Sequence, residues 1–223
     1  MSHASEMQAL LRLLTWLSPA FPIGGFAYSG GLERAVHDGM VQDAAGLRGW
    51  IGALMAHGTI RTDGVLLAAA FRLADDAAGL AELAALASAL AGSAERHQET
   101  TLLGEAFVTA ARAWPHSLFE RLPAACAYPV AVGAVSAVHA VPLESVLTAF
   151  LHAGASQLIS AGIRLGVSGQ RDGVAILAGL EEVIADSAGW IGNSTLDDLG
   201  SSTILADIAS LRHETQPSRI FRS

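Results

Sequence analysis

Lysine is absent from this chain, and all 13 of its basic residues are arginine. P-loop nucleotide binding, Schiff-base catalysis and attachment of pyridoxal phosphate each depend on a lysine amine, so these classes are excluded. Cysteine occurs once, at Cys126, which excludes an internal disulfide and a cysteine-rich zinc site. Because the N-terminal residues also lack a secretory signal pattern, we expect a cytoplasmic protein.

Positive charge is scarce as well. The 13 arginines face 21 acidic residues, which gives a formal net charge of −8 at pH 7. This balance argues against a nucleic-acid-binding surface, which needs clustered cations. A length of 223 residues suits one sizeable core. We predict a single domain over residues 1–223, in which residues 203–223 form a C-terminal partner-binding arm.

The apolar residues recur at helical spacing, alanine and leucine dominate, and β-branched residues are sparse. This pattern predicts an all-α fold, a single compact multi-helix domain with a C-terminal arm. Ser5 and Gln8 form a capping-box pattern, which predicts a first helix from Ser5 to near Pro19. Further helices are predicted over 28–38, 43–58, 60–77, 80–91, 93–113, 129–139, 142–165, 172–188 and 204–214, with a loop over 190–202.

Hydrophobic residues make up 52% of the chain, so membrane insertion has to be considered. Residues 122–143 and 145–163 carry no charged side chain. Prolines interrupt the first stretch, and polar side chains such as His152 and Gln157 divide the second. We favour a helix buried on nearly all sides within a soluble protein and expect no membrane contact. A membrane protein is the alternative.

No catalytic constellation is evident. The eight histidines include no pair at metal-binding spacing, so we predict no metal site, although ligands from distant helices stay open. Cys126 lies among alanines, which is typical of a core thiol. Glu95 and Glu99 share one helical face, as solvated surface carboxylates usually do. We therefore predict no catalytic residue and no cofactor. A helical enzyme whose site is assembled from distant residues is the alternative.

Two segments carry unusual patterns. The glycine-rich residues 24–31 carry the rings of Phe26 and Tyr28, which suits either a structural turn or a partner-docking loop. Within the predicted helix 142–165, a polar stripe needs partners in the core or across a subunit contact. Its members follow at four-residue intervals: His152, Ser156, Ser160 and Arg164.

The C-terminal segment is the third unusual region. Arg212, Arg219 and Arg222 flank the apolar pair Ile220 and Phe221 on an otherwise acidic protein. A frayed terminus is the default expectation, but an arginine-flanked apolar pair favours a segment that becomes ordered on a partner.

Together these segments resemble the urease accessory protein UreF family over nearly the whole chain. The motifs that carry the resemblance are Ser18-Pro19-x-x-Pro22-x-Gly24-x-Phe26-x-Tyr28-Ser29-x-Gly31-Leu32-Glu33, Gly169-Gln170-x-Asp172, Arg212-His213-Glu214-Thr215-Gln216 and Ser218-Arg219-x-Phe221-Arg222-Ser223. The sequence departs from the family pattern at Gly25, Ala27, Gln157, Val167 and Pro217.

The resemblance implies a non-enzymatic scaffold that forms a homodimer, joins the accessory protein UreD (also called UreH) and recruits the GTPase UreG. That assembly would support nickel insertion into apo-urease. The partner-binding residues that the resemblance implies are Phe26, Tyr28, Ser29, Glu33, Gln170, Asp172, Arg212, His213, Arg219, Phe221 and Arg222. We expect the Tyr28 ring to project as an anchor, and we expect deletion of residues 218–223 to leave the core folded.

Overall fold

The computed structural model describes residues 3–223, and over that range the chain is α-helical without a β-strand. The predicted all-α fold class is therefore confirmed. The helices are α1 (His3–Trp16), α2 (Leu32–His37), α3 (Ala44–His57), α4 (Thr59–Arg72), α5 (Ala77–Ala89), α6 (Ala94–Ala111), α7 (Tyr128–Val138), α8 (Leu143–Arg164), α9 (Gln170–Ala178), α10 (Glu181–Gly192) and α11 (Ile204–His213).

Short polar side chains set several helix starts. The carboxylates of Asp43 and Asp76 accept the amide N–H groups of Gly46 and Gly79, at 2.8 and 3.0 Å, before α3 and α5. The Ser93 hydroxyl accepts the Arg96 amide N–H at 3.1 Å before α6. Each of these bonds satisfies an amide that the first turn of a helix leaves without an intrahelical partner.

The structure contradicts the predicted first residues of two helices. The first helix begins at His3 rather than at a Ser5 cap and ends at Trp16. The second begins at Leu32 instead of Tyr28, because Gly30 and Gly31 adopt left-handed φ angles of 58° and 81°. Such angles interrupt a right-handed helix and favour glycine.

The predicted helix over 172–188 is two helices. Helix α9 ends at Ala178 and α10 begins at Glu181, with Gly179 and Leu180 between them. The Gly179 carbonyl accepts a hydrogen bond from the Arg48 guanidinium at 3.0 Å, which holds this corner against α3. Helix α10 extends to Gly192, so the predicted loop over 190–202 begins three residues later than expected.

Helix α4 occupies the centre of the fold. It packs against α3, α5, α7, α8 and α10, and its residues Gly64–Ala70 are all buried. Glycines allow two of the closest helix approaches. A Cβ atom on Gly133 of α7 would lie 2.2 Å from the Leu67 carbonyl oxygen of α4, and one on Gly162 of α8 would lie 2.5 Å from the Leu47 side chain of α3.

Helix α8 is long and apolar enough to cross a bilayer by length and composition alone. Half of its most apolar 18-residue stretch is buried inside the fold, where α8 packs against α2, α3, α4, α7, α9 and α10. Helix α8 is therefore a core helix on one side, and the expectation that it is buried on nearly all sides is met only in part. Cys126 is buried too, and burial raises the pKa of its thiol to about 12, as expected for a core cysteine.

The residues after α11 do not form a separate arm. The Phe221 side chain is 3% exposed and belongs to the same buried cluster as core residues of α3 and α8. The C-terminal segment therefore contributes the Phe221 side chain to the core. The expectation that the core stays folded when residues 218–223 are deleted stays a prediction.

Glycine substitutions test this packing. Gly133→Ala should lower the free energy of unfolding by at least about 2 kcal/mol, because the added methyl group meets main-chain atoms of α4 that cannot move alone. The matched control is Gly49→Ala, since Gly49 lies inside α3 with open space beside it. That substitution should raise stability by about 0.5–1 kcal/mol through helix propensity. Urea unfolding followed by circular dichroism measures both, and equal effects of the two substitutions would contradict the packing.

Candidate partner-binding site

Five side chains hold the C-terminal segment, residues 216–223, against the helices, four of them directly and His213 through Glu33 and Glu95. We call these side chains the dock: Ser29, Glu33, Glu95, Glu99 and His213. Three of them belong to residues that the sequence analysis selected for partner binding. Glu95 and Glu99 were assigned to solvated surface, but Glu99 is buried, and the Glu95 side chain is 12% exposed.

The Glu33 carboxylate is the centre of the dock. Its Oε1 accepts the amide N–H of Ile220 at 2.7 Å, and its Oε2 accepts the amide N–H of Phe221 at 2.9 Å. Its Oε2 also lies 3.1 Å from His213 Nε2. Glu33 is 6% exposed, so these three bonds replace the water that a buried carboxylate loses.

His213 connects two helices through its ring. Nδ1 lies 2.7 Å from Glu95 Oε2 on α6, while Nε2 faces Glu33 on α2. The other oxygen of Glu95 pairs with the Arg219 guanidinium. His213 is fully buried on the last turn of α11. Gly31 lets α11 approach, because a Cβ atom there would lie 2.9 Å from the Ser210 amide nitrogen.

Two hydroxyl groups hold Ser223. The Ser29 amide donates to the Ser223 main-chain oxygen at 2.8 Å, and the Ser29 hydroxyl donates to the same oxygen. The Ser223 hydroxyl donates to Glu99 Oε2 at 3.0 Å. Both serines are buried, so these hydrogen bonds lie beneath the protein surface.

The aromatic loop and the C-terminal segment run side by side. The Arg222 amide donates to the Ala27 carbonyl at 2.8 Å. Arg164, the last residue of the polar stripe, donates to the Phe26 carbonyl at 2.5 Å, and its guanidinium carbon lies 4.2 Å from the centre of the Phe221 ring. Arg164 therefore joins the loop to the segment through one hydrogen bond and one cation–π contact.

Three side chains on this face point outward. Phe26 is 75% exposed, Ile220 is 60% exposed and Arg222 is exposed beside them. We call these three the Phe26 surface. An exposed aromatic ring next to an aliphatic side chain and an arginine has the composition of the central residues of protein interfaces.

Tyr28 does not project as expected. Its side chain is 5% exposed, and its carbonyl accepts a weak hydrogen bond from Gln157 of α8 at 3.4 Å. The reason is the short 3₁₀ turn over Gly25–Ala27, which presents Phe26 outward and turns the next ring inward. Tyr28 is a core residue that positions the loop.

The other residues that the sequence analysis selected for partner binding lie away from the dock. Gln170 and Asp172 are exposed at the start of α9, which packs against α8 and α3. Arg212 is exposed on α11 and pairs with Asp38 at 2.8 Å. A hydrogen bond from Arg34 is the main reason that the pKa of Asp38 falls below its ordinary value. The structure therefore brings Ser29, Glu33, His213, Arg219 and Phe221 together, and it places Gln170 and Asp172 on another element.

A groove of about 1280 Å³ runs along the polar stripe of α8. Its apolar wall includes Leu10 and Leu14 of α1, which are 46% and 63% exposed. His152 and Ser160 are exposed in the groove. A Cβ atom on Gly154 would meet nothing within 4 Å, so this part of α8 is open.

A buried charge cluster lies deeper in the same groove. Arg96 contacts Asp63 at 2.5 Å and Glu99 at 3.6 Å. Burial raises the pKa values of both carboxyl groups, and the Arg96 charge opposes that shift. Within residues 3–223, no group of three or more histidine, cysteine, aspartate or glutamate side chains is arranged to hold a metal ion.

Sequence reasoning missed Glu95, Glu99 and Arg164 as members of this site. The i, i+4 spacing of Glu95 and Glu99 indicated that they share one face of α6, but spacing alone does not show whether that face is buried. His213 and Ser223 cover this face, and both lie more than 110 residues later in the sequence. A contact of that sequence separation leaves no local pattern.

The fold and this site define an α-helical protein whose main polar network binds its own C-terminal segment beside an exposed aromatic ring. A model of the UreF family matches residues 41–181. Urease accessory protein UreF of Rhizobium etli is 67% identical over the full length of both chains, and that of Agrobacterium fabrum is 61% identical over the same extent. Urease accessory protein UreF 1 of Brucella canis is 55% identical over 96% of this chain and 94% of its own. The chain belongs to the UreF family, as the sequence motifs predicted.

Replacing Glu33 tests the dock. Glu33→Gln should lower the free energy of unfolding by at least about 2 kcal/mol, because the amide group turns a donor toward N–H groups that can only donate. Glu105→Gln is the matched control, since Glu105 is an exposed glutamate on α6. Chemical unfolding of both variants measures the difference, and equal stabilities would show that the dock does not hold the structure.

Proposed function

We propose that this chain is a non-enzymatic scaffold in urease maturation. It joins a UreD (UreH) partner and recruits the GTPase UreG, so that nickel reaches apo-urease in the cytoplasm. The UreF family membership and the names of the relatives support the role in urease maturation. The chain itself contributes contact surfaces and carries neither a cofactor nor a catalytic residue in this proposal.

The Phe26 surface is the observation that carries the proposal. Two segments almost 200 residues apart in sequence meet there through the bond between the Arg222 amide and the Ala27 carbonyl. A buried network of carboxylates and hydroxyls holds the two segments together, although the exposed Phe26 ring and Ile220 side chain do not stabilise the isolated chain. Such an arrangement suits a surface that a partner protein covers.

The selected residues have two different roles in this proposal. Phe26, Arg219 and Arg222 are exposed and contact the partner directly. Tyr28, Ser29, Glu33, His213 and Phe221 are buried and act by holding the loop and the segment in place. Gln170, Asp172 and Arg212 form contacts with the assembly outside this surface.

We propose that the groove along α8 is the contact between two copies of the chain. Its apolar wall on α1 is too exposed for an isolated helical protein, and Gly154 leaves room for a second helix to approach closely. A two-fold axis through this groove would bring the polar stripes of two α8 helices together. The continuous buried cluster from Ala9 to Phe221 supports the single-domain assignment for each copy.

The Phe26 surface is tested by side-chain truncation. Phe26→Ala and Ile220→Ala should each weaken capture of UreD and UreG by at least tenfold, because removal of an interface anchor commonly costs about 2 kcal/mol. The thermal midpoint should stay unchanged, since both side chains are exposed. Leu196→Ala is the control, because Leu196 is 42% exposed in the short turn Leu196–Asp198, which holds none of the residues selected for partner binding. Capture equal to that of the control would contradict the assignment.

Urease activity in cells tests the proposed role in urease maturation. In cells that lack this gene, the wild-type chain should restore urease activity and Phe26→Ala with Ile220→Ala should not, at equal protein levels. Normal urease activity in the deletion strain itself would remove the proposed function.

The dimer contact is tested by a bulky substitution. Gly154→Arg should convert a dimer into a monomer at micromolar concentration, because the arginine side chain fills the space that a second helix needs. Gly189→Arg on α10 is the matched control, since Gly189 is also helical with open space beside it. Sedimentation velocity measures both. A wild-type monomer, or a Gly154→Arg dimer, would contradict the proposal.

A further inference from the structure

Two neighbouring glycines of the aromatic loop differ in what they require. Gly24 has a left-handed φ of 77°, and a Cβ atom on it would meet nothing within 4 Å, so its backbone conformation favours glycine. Gly25 begins the 3₁₀ turn Gly25–Ala27, and its φ lies outside the left-handed region. A Cβ atom on Gly25 would lie 3.0 Å from Gln157 Oε1. A side chain of α8, and not the backbone conformation, therefore limits what can stand at position 25.

Gln157 contacts both ends of this turn. Its Nε2 donates to the Tyr28 carbonyl at 3.4 Å, while its Oε1 lies beside Gly25. Seven residues further along α8, Arg164 donates to the Phe26 carbonyl at 2.5 Å. Residues seven apart lie on nearly the same face of a helix, so one face of α8 supports the turn that presents the Phe26 ring.

A methyl group at position 25 and the present position of the Gln157 amide exclude each other, because a carbon–oxygen separation of 3.0 Å is shorter than ordinary van der Waals contact. If the amide moves, its bond to the Tyr28 carbonyl is lost, and if the turn moves, the Phe26 ring moves with it. An asparagine at position 157 is one methylene shorter and would leave the space beside Gly25 open. Both positions are among those at which the sequence departs from the family pattern.

We propose that Gly25 and Gln157 form a matched pair that sets the position of the turn Gly25–Ala27, so that glutamine at position 157 requires glycine at position 25. Gln157 is then a positioning residue, because it contacts the turn rather than a partner. The pair belongs to the chain alone, but its effect on partner capture rests on the proposed function of the Phe26 surface.

A double-mutant cycle tests the pair without any partner. In the wild-type background, Gly25→Ala should lower the thermal midpoint, because the methyl group displaces the amide or the turn. In the Gln157→Asn background, the same substitution should raise the midpoint by about 1–4 °C, because alanine restricts the unfolded chain more than glycine does.

Gln98→Asn provides the matched control background, since Gln98 is an exposed glutamine on α6. In that background Gly25→Ala should lower the midpoint as it does in the wild type. Midpoint shifts of the same sign and size in the wild-type and Gln157→Asn backgrounds would overturn the proposal. A double variant, Gly25→Ala with Gln157→Asn, that does not fold would overturn it too.

Partner capture tests the positioning role. At a temperature well below every midpoint, Gly25→Ala should weaken capture of UreD and UreG by at least about threefold, and addition of Gln157→Asn should restore it to within about twofold of Gln157→Asn alone. Recovery of this kind identifies positioning, because a role in stability alone leaves capture equal among folded variants. Equal capture by all these variants, with Phe26→Ala still weakening it, would overturn the positioning role. If Phe26→Ala also leaves capture unchanged, the proposed function fails, and the melts decide the pair by themselves.

Discussion

The structure depends on one carboxylate. Glu33 binds two successive main-chain N–H groups of the C-terminal segment and the ring of His213, and it does so from the first turn of a six-residue helix. Because a buried carboxylate needs several donors, the segment and α11 must both be in place before Glu33 is satisfied. The position of residues 216–223 is thus coupled to the fold of the N-terminal loop.

That coupling explains the surface that the chain presents. The segment brings Ile220 and Arg222 to Phe26, while Arg164 of α8 contacts both sides of the junction. Helix α8 also carries the groove proposed as the dimer contact, so its one polar stripe serves two surfaces. Phe26 and Arg164 also line the groove, so a partner on the Phe26 surface and a second copy in the groove would approach each other at the Arg164 end of the stripe.

The sequence predicted the features that local patterns encode. Helical periodicity gave the all-α class, and proline and glycine gave most helix ends within a few residues. The motif residues Ser29, Glu33 and His213 lie together in the dock, and their burial was not foreseen. Their role in partner binding stays a prediction. The burial of Tyr28 and Glu99 depends on residues far away in sequence, such as Gln157 and Ser223. The break between α9 and α10 was missed because a helical apolar pattern continues across Gly179.

The most direct test of the account is amide hydrogen exchange of Ile220 and Phe221 in the isolated chain near pH 6.5. The account predicts that these two amides exchange at least 100-fold more slowly than in an unstructured peptide, because the buried Glu33 carboxylate accepts both. The amide of Arg219, an exposed residue directly before Ile220, provides an internal reference for segment mobility. Exchange of Ile220 and Phe221 at the rate of an unstructured peptide would show that the segment is not docked, and it would contradict the account.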